Sequence, residues 1–142
     1  MSTDGDLIKL YSGQILALAA DIPHLDRLEA PDATVKKRSP LCGSTVTVDV
    51  SVTGGKISAF GQEVKACALG QAAASVVAGN VIGRTPAEVL TARDELKAML
   101  KENGPEPSAP FEGLKVLLPA RDYKNRHASI MLTLDALVEA TS

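Results

Sequence analysis

This sequence predicts a chain of helices set around a small antiparallel sheet, and three observations carry the prediction. Thr45 to Val52 alternates strictly between valine and polar residues, as a half-buried strand does. Gly54-Gly55 follows, a pair favoured in two-residue hairpin turns, and a return strand runs from Lys56 to Gly61 and on towards Val64. On either side lie longer stretches whose apolar residues recur at helical spacing.

The first helix is predicted over 6–20. Leu7, Ile8, Leu10, Tyr11, Ile15, Leu16 and Leu18 share its apolar stripe, Asp4 or Asp6 offers a cap, and Pro23 stops it. His24, just past this stop, reads as a capping or solvated residue. The stretch 27–40 is polar and reads as irregular, with Pro31, the run Lys36-Lys37-Arg38, and Pro40. Three adjacent cations read first as a solvated loop, and second as a means of steering an acidic partner.

Beyond the hairpin, Cys67 opens a helix of small and apolar residues from Ala68 to Ala78, so free of charge that most of its sides must be buried. Gly79 and Gly83 loosen its end. Thr85, Pro86 and Glu88 form a capping box with proline in the first helical position, and the helix they start ends at Asn103-Gly104. A rigid polar connector, 105–110, leads to an apolar patch of Leu114, Val116, Leu117 and Leu118 before Pro119. The last helix is predicted from Arg126 to Glu139, with Ile130, Met131, Leu134, Leu137 and Val138 on one face. His127 sits in its first turn on the side of that stripe.

At 142 residues the chain fits one domain, residues 1–142, with enough length for a real core. Its net charge of -2 argues against nucleic acid and against an anionic membrane surface as partners. No apolar run approaches the roughly 18 residues of a membrane span. The polar, acidic start Met1-Ser-Thr-Asp-Gly-Asp6 is unlike a leader, so a cytoplasmic location is expected. The sequence has no nucleotide-binding loop, no Ser-His-Asp order and no carboxylate pair set for hydrolysis, so a conventional enzyme is not expected.

Only two cysteines are present, Cys42 where a polar loop becomes a strand and Cys67 where a strand becomes a helix. The hairpin between them brings both to one end of the sheet. In a reducing compartment such a pair more often binds metal or reacts than forms a structural disulfide, although two buried small apolar residues would read the same way. Thiolate is the reactive and metal-binding form, and Cys67 gains for it from the helix N-terminus and from nearby Lys65. Gly43 leaves room beside Cys42. An imidazole joins readily with two thiolates on zinc or iron, so Cys42, Cys67 and His127 are the candidate ligands, with a fourth position open.

The segment Ser39-Pro40-Leu41-Cys42-Gly43, the hairpin, and Val64-Lys65-Ala66-Cys67 with its Ala- and Ser-rich helix resemble the iron–sulfur cluster assembly scaffold family of the NifU, IscU and SufU type. The likeness runs from Tyr11 to the last helix, and the connector around 104–112 resembles an insertion of the SufU-like branch. The family carries a cysteine followed two residues later by aspartate, a second cysteine about 25 residues on, and a third near the start of the C-terminal helix. Here the separation of Cys42 and Cys67 is 25. The aspartate position holds Ser44, and no cysteine follows Cys67. The segment Arg126-His127-Ala128-Ser129-Ile130 takes the third cysteine's place, and His127 is its expected ligand.

The resemblance implies an α+β fold, a three-stranded antiparallel sheet backed by helices. It implies a shallow, solvent-facing site for an iron–sulfur cluster, iron or zinc. A cysteine desulfurase and cluster acceptors are the implied partners, and a non-enzymatic scaffold or carrier the implied role. A zinc-binding sulfur acceptor and, from a different class, a dithiol redox protein cycling Cys42 and Cys67 are the alternatives.

Overall fold

The computed structural model describes residues 12–40 and 43–142. The hairpin is present as expected, with β2 (Thr45–Thr53) antiparallel to β3 (Lys56–Lys65). Gly54 and Gly55 both take positive φ, 62° and 79°, the backbone that a right-twisted two-residue turn demands. Thr45 pairs with Lys65 and Val50 with Phe60, and the register shifts once, between Ser51 and Val52.

The irregular loop expected over 27–40 is corrected in part. Ala33–Arg38 is a strand, β1, antiparallel to β2, so the sheet order is β1-β2-β3. Only Ala33 and Val35 announce a strand face, because the third residue on that face is Lys37. Its ammonium reaches across to the Glu139 carboxylate, 2.6 Å away, on the last helix. A long-range ion pair thus occupies the place where a pattern would show an apolar residue. The three-stranded α+β fold implied by the resemblance is the observed one.

Val46, Val48 and Val50, all fully buried, point from the central strand to the helices. Helix α1 (Gly13–Ala20) is capped by Ser12, whose hydroxyl accepts from the Ile15 amide at 3.3 Å. The predicted caps Asp4 and Asp6 lie outside the described residues. Helix α2 (Ala68–Asn80) starts with Cys67 as its N-cap residue and is buried from Leu69 to Ala78 except at Gln71, as its lack of charge requires. Helix α3 (Pro86–Lys101) keeps the predicted capping box of Thr85 and Glu88.

The apolar patch before Pro119 folds as a 3-10 helix, Glu112–Asp122. Its buried residues Leu114, Leu117 and Ala120 are three apart, the period that puts them on one face of a 3-10 helix. The last helix, α4 (Lys124–Ala140), departs from the expected single stripe. It packs on β1, β2, α2 and α3 together, so that Ser129, Leu132, Thr133 and Ala136 are buried as well. Among the described residues no helix is long and apolar enough to cross a membrane.

The sheet's other face is closed by the segment from Asp21 to Asp32, and one buried carboxylate holds it there. Asp49, with no exposed surface, faces away from the helices. It accepts from Arg27 Nε and Nη2 at 2.5 and 3.0 Å, from the Leu28 amide at 3.0 Å and from the Thr34 hydroxyl at 2.6 Å. These bonds, Arg27's first, hold its carboxyl below the usual carboxylate range against the opposing effect of burial.

We expect Asp49→Asn to lower unfolding free energy by about 2 kcal/mol at neutral pH, since it removes charge-assisted bonds whose arginine is partly solvated. The native carboxyl binds its proton less readily than the unfolded one, whose pKa is about 3.9. Asp49 therefore stabilises fully above that range, and its contribution is lost as pH falls through the lower native value. Urea titrations from pH 7 into acid should show the wild-type advantage shrinking towards zero. An advantage that grows with acid would refute this account.

Candidate functional site

The register that sets Thr45 against Lys65 brings the start of β2 and the end of β3 to one end of the sheet. Two residues past that end, Cys67 takes an extended backbone (φ -66°, ψ 169°) and its carbonyl accepts the first helical bond from Gln71, at 2.9 Å. Its thiol makes no capping bond. The half-buried side chain instead places Sγ 3.5 Å from the hydroxyl of Ser129, in the second turn of α4.

Ser129 in turn donates to Ser44 Oγ at 3.2 Å. Both serines are buried. Ser44 is held by a closed turn in which the Gly43 amide donates to the Ser39 carbonyl at 3.0 Å and the Ser39 amide to the Ser44 carbonyl at 2.8 Å. Thiol and hydroxyls thus form a short chain, Cys67–Ser129–Ser44, at the joint of β2, α2 and α4. With the Ser129 proton on Ser44, a neutral Cys67 has Ser129 as its acceptor. Were the sulfur a thiolate, the same hydroxyl would have to turn and donate to it.

Gly70 makes this approach possible. A Cβ there would stand 2.7 Å from Ser129 Oγ, 2.9 Å from Ala66 Cβ and 3.1 Å from the Ser129 carbonyl. Helix α4 therefore rests directly on the backbone of α2, one turn after Cys67.

The three predicted ligands fare differently. Cys42 lies outside the described residues. Cys67 is where the sequence placed it, at the head of a helix. His127 is not brought to Cys67. Two residues apart on a helix, His127 and Ser129 point to nearly opposite sides. The imidazole is buried, with Nε2 at 2.9 Å from the Ala120 carbonyl and 3.1 Å from that of Arg121, so it ties α4 to the preceding 3-10 helix. A ring nitrogen set against two carbonyls is a proton donor, not a free lone pair for a metal. Lys65, expected beside the thiol as a cation, is strongly exposed and paired with Glu63 at 3.3 Å. Ser129 carries no site signal in the sequence because serine is a poor ligand, although the glycine of α2 signals a close neighbour. Among the described residues no three His, Cys, Asp or Glu side chains are grouped to hold a metal ion.

The solved structures include a NifU-like N-terminal protein described as nitrogen-fixing, from Brucella abortus. It is 47% identical, with 95% of this chain and 94% of that one covered and a TM-score of 0.93. The chain belongs to the NifU-like N-terminal family of iron–sulfur cluster assembly scaffolds. Such proteins are scaffolds rather than enzymes. A second NifU-like fold is that of the protein from Fervidobacterium islandicum described as an iron–sulfur cluster assembly scaffold for the SUF system. At 22% identity, with 95% and 98% of the two chains covered and a TM-score of 0.85, it shows that the fold is shared. No family model matches the sequence, and no curated protein does.

The NifU-like chain should resist a methyl group at the α2–α4 contact. In most helices Gly→Ala stabilises by about 1 kcal/mol. At position 70 overpacking against Ser129 and Ala66 costs ~1–3 kcal/mol, so Gly70→Ala should be destabilising by about 1 kcal/mol net. The check is the urea midpoint of the variant at unchanged slope. A midpoint raised above wild type would show that α4 does not rest on this glycine.

Proposed function

We propose that this chain is a scaffold or carrier in iron–sulfur cluster assembly, holding a cluster or iron as cargo on Cys42 and Cys67. A cysteine desulfurase supplies the sulfur and acceptor proteins take the cargo. The observation that carries this reading is the place of Cys67, half-exposed at a helix head against Ser129 and Ser44, in a chain of NifU-like type.

Of the four positions that the family fills with three cysteines and an aspartate, Cys42 and Cys67 take two. Ser44 takes the aspartate's. Ser129, facing Cys67 from the C-terminal helix, takes the third cysteine's, in place of the expected His127. Hydroxyls are poor donors to iron, which in clusters is held by thiolate sulfur. Ser44 and Ser129 therefore shape the site and satisfy one another's bonds, and the two thiolates do the holding. Clusters commonly take four cysteines, so this chain supplies half of a set. The remainder comes from small thiols or from the acceptor, an arrangement that favours release over storage. Such chemistry belongs in the cytoplasm, where thiols stay reduced.

Anaerobic reconstitution with ferrous iron and sulfide, followed by visible absorption and iron analysis, tests this. Charge-transfer bands should appear and should be lost in Cys42→Ala and in Cys67→Ala. Ser129→Cys should retain the cluster against a chelator at least tenfold longer, by restoring a thiolate beside Cys67. His127→Gln should leave the spectrum unchanged while lowering the melting temperature. Bands that survive loss of both cysteines, or protein that takes one zinc per chain and refuses a cluster, would overturn the reading. The zinc result would favour a sulfur-accepting partner of the desulfurase.

A further inference from the structure

The three cations Lys36, Lys37 and Arg38 have no part in the cysteine site, and two of them border a broad surface groove. This groove, about 610 Å³, runs between the end of β1, helix α3 and the outer side of α4. Helix α3 lines it with Arg93, Lys97 and Lys101, at successive i, i+4 spacing and so on one face. Lys37 and Arg38 enter from β1, while Asp135 and Glu139 enter from α4. Five cations thus face two carboxylates, a local charge of +3 on a chain whose net charge is -2.

The carboxylates are already engaged. Glu139 holds Lys37 at 2.6 Å, and Asp135 lies 3.7 Å from Arg93, which also bonds Asp94 at 2.7 Å. Among the described residues Arg38, Lys97 and Lys101 make no ion pair, and all three are exposed. The floor is apolar, from Ala128, Met131 and Leu132 of α4. One helical turn separates Lys97 from Lys101, a rise of about 6 Å. Alternate side chains of an extended peptide on one side are about 6.6 Å apart. An extended chain with acidic residues at alternate positions would match the row of cations, with its intervening side chains free to meet the apolar floor.

We propose that this groove docks an acidic, extended segment of a partner protein, its carboxylates received by Arg38, Lys97 and Lys101. A nucleic acid is the poorer match. Among the described residues Phe60 and Phe111 are buried and Tyr123 does not line the groove, and the chain has no tryptophan, so no described aromatic side chain offers a platform for a base. The groove and the cysteine site share α4 but not a face of it, since Ala128 lines the first and Ser129 the second.

The test uses the full chain and a fluorescein-labelled peptide of alternating Glu and Ala, read by fluorescence anisotropy at low and at moderate salt. Saturable binding is expected, weakening with salt as solvent-exposed charge pairs do. Lys97→Glu with Lys101→Glu should weaken it at least tenfold while the circular dichroism melt stays close to wild type. The single exposed change Arg38→Glu should weaken it severalfold, which keeps the test open if the double variant folds poorly. Lys56→Glu, at the hairpin turn away from the groove, and Cys67→Ala should bind as wild type. No saturable binding, an equal loss in Lys56→Glu, or equally tight binding of a labelled thymidine oligonucleotide would overturn the proposal. Because Cys67→Ala is predicted to lose cargo but keep peptide, failure here is separable from failure of the scaffold reading.

Discussion

Pairing Thr45 with Lys65 is the constraint on which the rest of this structure depends. Side chains alternate across a strand, so a slip of one residue would turn Val46, Val48 and Val50 out of the core and Asp49 into it. The present register buries the three valines against the helices and leaves Asp49 on the opposite face, where Arg27, Leu28 and Thr34 surround it. An unpaired carboxylate among the valines would be far costlier than the bonds it now makes. The same register sets Ser44 and Cys67 at one edge of the sheet. The site is therefore a consequence of how the core and the buried carboxylate choose between alignments.

Helix α4 completes what the sheet begins. Being enclosed by strands and two helices, it has little freedom to rotate, and each of its sides acquires a fixed neighbour. Ser129 faces the thiol, His127 faces the carbonyls that end the 3-10 helix, and Ala128 and Met131 face the basic groove. Positions one or two apart in sequence thus serve separate surfaces. The absence of a side chain at Gly70 sets how near the thiol and hydroxyl sides can come.

Much of this was legible in the sequence where local chemistry decides structure. The alternation of Thr45 to Val52, the glycine pair, the capping box at Thr85 and the helix opened by Cys67 are each written within a few residues. What stayed hidden depends on distant partners. Strand β1 lacks a full apolar face because Lys37 is satisfied by Glu139, about a hundred positions later. The period of three in Leu114, Leu117 and Ala120 is short enough to pass for a patch. His127 stands out as the one imidazole near the start of the last helix, since ligand type can be read from a sequence and helix rotation cannot. Once Ser129 is turned to Cys67, helical geometry directs His127 elsewhere.

That rotation changes how the chemistry of the site is understood. A histidine ligand would have made the chain a variant with three ligands, an altered third donor and a fourth position open. A serine beside Cys67 has nearly the shape of a cysteine and is a weaker donor to a soft metal. Oxygen for sulfur changes the volume little, so the contact with Gly70 and the fold around it survive. Polarity changes more: a buried hydroxyl must find partners, and Ser44 and Ser129 find each other and Cys67. The pair is thus self-consistent without a metal, as two buried thiolates or a lone aspartate would not be. Such a site needs no ion to hold its α2–α4 joint together, since Cys67, Ser129 and Ser44 already bond one another there. On the proposed reading its grip on cargo would rest on the thiolates alone, as a carrier requires.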